Sequence, residues 1–194
     1  MDNSKTINLR FSILAALILI TAFSRLIPHM PNFSPFGAIA LFGAAHFTKR
    51  WQAFFIPIAA VWLSDLFIIN VIYRQHYTNF TWFYDGFYWQ YATYALITFI
   101  GLVIFRKLNI QSVLVGALTA TAIFFLVTNF GCFPGNPTYA QNFSGLMACY
   151  AAGVPFLKGT LLGNLVYTGV LFGFFAILQQ RFSFLRPVHN KYAV

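Results

Sequence analysis

The chain has 194 residues, of which 59% are apolar, 20% aromatic and 8% charged, with a mean hydropathy of +0.71; a water-soluble domain carries about 25% charged residues. Three acidic residues stand against twelve basic ones, and the basic residues sit singly or in pairs between apolar runs, so they read as topology markers and not as a nucleic-acid-binding face. Two cysteines exclude a disulfide scaffold and a four-thiolate zinc site. The expectation is an all-α membrane protein, one integral domain over residues 1–194 with no soluble module appended.

A bilayer core of about 30 Å takes about 20 apolar residues as a helix, and six such runs appear, read as six transmembrane helices. The first extends from Leu9 to Leu26 and stops at Pro28 and Pro31. Lys5, Arg10, this apolar stretch and the small pair Ala22 and Ser24 also resemble a secretory signal. Its near-spanning length and the Arg25 after the supposed cut favour a retained helix. The second run, Ser34 to Phe47, is short and is closed by Lys49 and Arg50; the third, Trp51 to Tyr73, contains Pro57, where a kink is expected. An aromatic loop, Arg74 to Tyr88, leads to the fourth run, Trp89 to Phe105, which ends at Arg106 and Lys107. The fifth run goes from Ile110 to Thr128. Gly131, Pro134, Gly135, Pro137 and Gly153 then predict an irregular connection from Asn129 to Pro155, with a short interfacial helix over Phe143 to Ala152. The sixth run, Pro155 to Gln180, is followed by Arg181, Arg186 and Lys191.

Placing the N-terminus inside puts Lys5, Arg10, Lys49, Arg50, Arg106, Lys107, Arg181, Arg186 and Lys191 on the cytoplasmic side and leaves Arg25, Arg74 and Lys158 opposite. The positive-inside rule therefore predicts cytoplasmic termini and an outer face carrying the two longest connections. Connections carry binding residues more often than the elements they join.

Asp65 is the only acid inside an expected span, and an unpaired intramembrane carboxylate is costly, so it marks either a helix clamp or a functional site. Arg25 and Lys158, at the outer level, are its available partners. No second intramembrane carboxylate exists to relay a proton from it. Ser34-Pro35 is a helix start, with Ser able to accept from free N–H groups and Pro suited to the first turn. A helix this short leaves its N-terminus recessed, and its positive dipole end beside Arg25 suits a ligand carboxylate or phosphate. Trp82 and Tyr84 belong to an aromatic set, Tyr77 to Trp89, that reads as an interfacial belt or as a stacking surface. Asn32, Asn129 and Asn164 are further polar candidates, and a buried Asn requires partners.

His29, His46, His76, Cys132 and Cys149 match no metal-ligand spacing, and a Cys132–Cys149 disulfide is left open. Gly159 with Gly163, and Gly169 with Gly173, have the four-residue spacing that lets another helix approach closely, which reads as packing within the bundle first and a docking face second. No nucleophile elbow, zinc-protease motif, phosphate loop or cofactor fingerprint is present. Neither enzyme activity, metal nor cofactor is expected.

Arg25-Leu-Ile-Pro, Pro31-Asn-Phe-Ser-Pro-Phe-Gly-Ala-Ile-Ala-Leu-Phe-Gly-Ala-Ala, Phe124-Phe-Leu-Val-Thr-Asn-Phe and Gly145-Leu-Met-Ala-Cys-Tyr together look like a bacterial family of uncharacterised six-helix transport proteins. That family in turn resembles the S components of energy-coupling factor (ECF) transporters. The resemblance implies an S-component-like bundle in the bacterial inner membrane that captures a vitamin-like micronutrient on its outer face. It also implies a partner, an energy-coupling transmembrane subunit with ATPases, which docks on Ala-x-x-x-Ala repeats in the first helix. Here that helix reads Ile13-Leu-Ala-Ala-Leu-Ile-Leu-Ile-Thr-Ala and lacks a clean repeat. A solitary transporter and a membrane assembly or interaction protein are the alternatives. For capture, the substrate-binding set is Arg25, His29, Asn32, Asp65, Trp82, Tyr84, Asn129, Lys158 and Asn164; the expected partners are a small molecule and the lipid bilayer, not nucleic acid.

Overall fold

The computed structural model describes residues 3–186, with side chains from residue 7 onward; Lys191, counted above as a topology marker, lies outside them. Six α-helices occur in chain order: α1 (Asn3–Phe23), α2 (Phe36–His46), α3 (Arg50–Phe67), α4 (Phe87–Ile104), α5 (Ile110–Cys132) and α6 (Phe143–Arg181). There is no strand among the described residues. All helices except α2 are long and apolar enough to cross a membrane. This is a multi-pass membrane protein.

Local chemistry sets the helix ends. After α1 a 3₁₀ turn covers Ser24–Leu26, and Ile27 turns extended, with ψ 130°, because the following proline ring disfavours a helical conformation there. Asn109 opens α5 with a capping box, accepting from Ser112 N at 2.8 Å while its own N–H donates to Ser112 Oγ at 3.0 Å. At Gly86, which precedes α4, φ is +77°, a left-handed value that glycine adopts without a Cβ penalty.

Two expectations are corrected. The connection between the fifth and sixth runs is much shorter than Asn129–Pro155: α5 continues to Cys132, and α6 starts at Phe143, where Asn142 Oδ1 accepts from Gly145 N at 3.0 Å. The segment over Phe143–Ala152 is therefore not a separate interfacial helix. It is the start of a 39-residue helix that runs through Pro155, since one proline removes one hydrogen bond and the turns on either side still hold theirs. At 1.5 Å per residue α6 is about 58 Å long, nearly twice an apolar bilayer core. Toward the end of α3 the ladder widens into a π turn over Ile68–Ile72.

In the middle stands α2. Ten of its eleven residues are buried, and it packs against each of the other five helices. Around it α1, α3, α4, α5 and α6 follow one another, each packed on the next. The gap from α6 back to α1 is bridged by a hydrogen bond between the Ser24 and Tyr167 hydroxyls at 3.1 Å and by the Ser183–Leu185 turn against α1. Small residues make this crowding feasible: Gly43 lies against Pro57, while Gly101 and Gly116 face Leu41 and Phe105. At about 16 Å α2 is too short to span, and burial on all sides replaces lipid contact. Outward-facing side chains are apolar instead, among them Ile20, Phe55, Phe99 and Val170.

Candidate functional site

Both ends of α2 need partners, because the first N–H groups and last carbonyls of any helix lack intrahelical bonds. At its C-terminal end the buried Arg10 of α1 donates from Nη2 to His46 O at 3.2 Å, a cation placed where the helix dipole is negative. At the N-terminal end, Ile39 N makes the first intrahelical bond, to Pro35 O. Ser34 Oγ accepts weakly from Phe36 N at 3.4 Å, so the serine is a poorer cap than the sequence implies. Above this end lies a cavity of about 540 Å³, lined in part by Arg25, His29, Asn32, Gly37, Gln90 and Asn164. A second cavity of about 200 Å³ adjoins it between α5 and α6 and shares Asn32, Gln90, Phe124 and Thr160 with the first.

Arg25, in the turn after α1, and Asp65 of α3 form an ion pair, so of the two partners proposed for Asp65 the arginine is the one engaged. The pair is well supplied: Tyr91 Oη donates to Asp65 Oδ2 at 2.8 Å, Arg25 Nη1 reaches Ser64 Oγ at 3.4 Å, and the guanidinium lies 4.3 Å over the Phe36 ring. Such support is what a buried pair needs to offset desolvation. It also means that Arg25 is not a spare cation for an anionic ligand, as the sequence suggested.

Of the expected site residues, Arg25, His29, Asn32 and Asn164 line the larger cavity and Asn129 lines the smaller. Asp65 reaches the site through Arg25. Tyr84 sits close enough to feel Asp65: burial chiefly, and then the Asp65 charge, push its phenol well above the usual value. Trp82 lies outside both linings, with its ring stacked on Trp62 at 6.2 Å. Lys158 is on the exposed side of α6, also outside both. His29 Nδ1 is 2.9 Å from Met30 O, Cys132 and Cys149 are free thiols, and no cluster of metal-binding side chains occurs among the described residues.

Several organising residues have roles that the sequence reading did not assign. Gly159 and Gly163 admit a loop, not a helix: a Cβ on Gly159 would collide with Pro31 O, and one on Gly163 would press on the Ser34 backbone. They let the segment entering α2 lie directly on α6 and form the cavity wall. Gly169 and Gly173 have nothing within 4 Å. Asn70, in the π turn, pins the α3–α4 connection by donating to Thr81 O at 2.9 Å and accepting from Thr81 N at 2.7 Å. In the α5–α6 connection Gln141 Nε2 donates to the carbonyls of Phe133, Asn136 and Tyr139. Paired spacing gave the glycines a signal, but the amides had none.

A protein-family model described as a family of unknown function, DUF6580, matches residues 5–188. The chain belongs to that family. The match takes in all six helices and both cavities, so the arrangement around α2 lies wholly within the region that defines the family. No curated protein and no solved structure gives a significant match.

Proposed function

We propose that this member of the family is a capture subunit for uptake of a small, vitamin-like micronutrient, with its ligand held above the N-terminus of α2. The cavity of about 540 Å³ at that end is the observation that carries the reading: it is of ligand-binding size, and polar groups converge on it. Charge distribution supports an outward-facing cavity. Lys49, Arg50, Arg106, Lys107, Arg181 and Arg186 lie at the other end of the helices, which favours six membrane-embedded helices with cytoplasmic termini in a bacterial inner membrane. Likeness to S components supplies the transport class and the partner, an energy-coupling subunit with ATPases. The exposed face of α1 carries Ser12 and Ala16 beside the larger Leu19 and Ile20 and no Ala-x-x-x-Ala repeat, so a solitary transporter is retained as the variant of this reading.

Native mass spectrometry of the full-length protein, purified in mild detergent, tests the proposal. A co-purifying small molecule that is lost in Arg25→Ala is expected. A folded, consistently empty protein carrying a second membrane protein instead would favour the interaction reading, for which the bare Gly169 and Gly173 face beside exposed Val170 is the supporting observation.

A further inference from the structure

The larger cavity contains one side chain whose orientation dictates what a ligand must offer. Asn164 on α6 is 3% exposed, and its Nδ2 donates to Thr121 Oγ1 at 3.0 Å. Thr121 in turn gives its single hydroxyl proton to Ala117 O at 2.9 Å, so toward Asn164 it can only accept. The amide is thereby locked with its carbonyl oxygen turned to Gly37, where any Cβ would collide with it. Asn164 lines the cavity, and its Oδ1 has no hydrogen-bond donor among the described residues. An acceptor held without a protein donor is free to take one from a ligand.

Beside it, the first turn of α2 offers the opposite polarity. Pro35 has no N–H, Phe36 N is taken weakly by Ser34, and the first helical bond is made by Ile39, which leaves the Gly37 and Ala38 N–H groups without an intrahelical acceptor. Gly37 lines the cavity with Asn164, so an acceptor and a backbone donor stand side by side there. Arg25, the arginine of the lining, is matched by Asp65, so a full anion would find its charge already compensated.

We infer that the cavity recognises the edge of a neutral amide-type group, as in a lactam or a carbonyl-bearing heterocycle. The ligand N–H donates to Asn164 Oδ1, and its adjacent C=O accepts from the start of α2. This rests on the capture reading and specifies its substrate class.

Three water-soluble probes test it by ligand-observed saturation-transfer NMR on the intact protein: uracil, which has N–H beside C=O; 1,3-dimethyluracil, which has no donor; and orotate, the anionic carboxylate. Uracil is expected to bind at least about tenfold more tightly than 1,3-dimethyluracil, the worth of one buried hydrogen bond, and more tightly than orotate. In Thr121→Val, which frees the Asn164 amide to turn, that ratio should fall toward one, whereas Thr121→Ser keeps the hydroxyl and restores it; thermal unfolding of both variants reports that they are folded. Stronger binding of orotate or 1,3-dimethyluracil, or a ratio unmoved by Thr121→Val, overturns the amide-edge inference while leaving capture standing. Absence of binding by every probe also overturns it. If native mass spectrometry shows no carried molecule either, the capture reading falls with it.

Discussion

Arg10 of α1 and Arg25 of the turn that follows it meet opposite ends of α2, and their surroundings differ. Arg10 closes the C-terminal end by binding a helix carbonyl under aromatic cover, where His46 packs on Phe42 and Phe175. Arg25, at the N-terminal end, is held by a carboxylate and borders open space. A buried cation can thus be accommodated by a helix dipole or by a counter-ion. Only the second arrangement leaves the helix end free to meet a ligand.

Removing one member of the ion pair gives the largest expected effect. Asp65→Ala leaves Arg25 with no counter-ion and should cost about 3 kcal/mol, read as a lowered unfolding midpoint in detergent, together with loss of the carried ligand. Combining it with Arg25→Leu should recover most of the stability and none of the ligand. Recovery of both would make the pair a mere clamp. At the opposite end, Arg10→Met removes the charged donor to the His46 carbonyl and should cost about 2 kcal/mol. Protein that remains folded should still carry ligand, and a selective loss of ligand by this variant would erase the distinction between the two ends.

Legibility in the sequence followed the same division. Helix positions were readable because lipid demands apolar length, and the Arg25–Asp65 pair was readable because a lone intramembrane acid has few cations to choose from. That the second run is too short to span followed from its bounds, Ser34 and Phe47. Other features depend on register between helices distant in sequence. Arg10 looked like a topology marker, and only the position of α2 turns it into a cap; the Asn164–Thr121 bond joins residues 43 apart. Pro155 looked like a break because proline disfavours helices, yet packing on both sides carried α6 through it. Lys158 shares a helix with Asn164 but lies on its exposed side, and an unplaced loop partner gave no way to choose between these faces.

A smaller effect sharpens the comparison along α6. Gly159→Ala places a methyl against the Pro31 carbonyl, and overpacking of this kind costs about 1–3 kcal/mol. It should also push the segment entering α2 off the cavity wall and weaken ligand retention. Gly169→Ala meets nothing within 4 Å, and replacing a mid-helix glycine should stabilise by about 0.5–1 kcal/mol. Measured side by side by thermal unfolding, the two substitutions should have opposite signs; equal destabilisation would mean that the Gly169 face is covered in the purified protein.

The smallest effect concerns Tyr84, on the connection that overlies the Arg25–Asp65 pair. Burial and the nearby carboxylate raise its phenol above the ordinary value of 10.0, so between these two values the folded protein keeps a proton that the unfolded chain has released. Stability from this source is complete below about pH 10, and it declines as pH rises toward the folded value. Unfolding midpoints measured upward from neutral pH should fall in the alkaline range, and Tyr84→Phe should flatten part of that fall without altering the midpoint near neutrality. An unchanged alkaline slope in Tyr84→Phe would place the phenol in water, away from Asp65, and would detach the aromatic connection from the arginine end of the site.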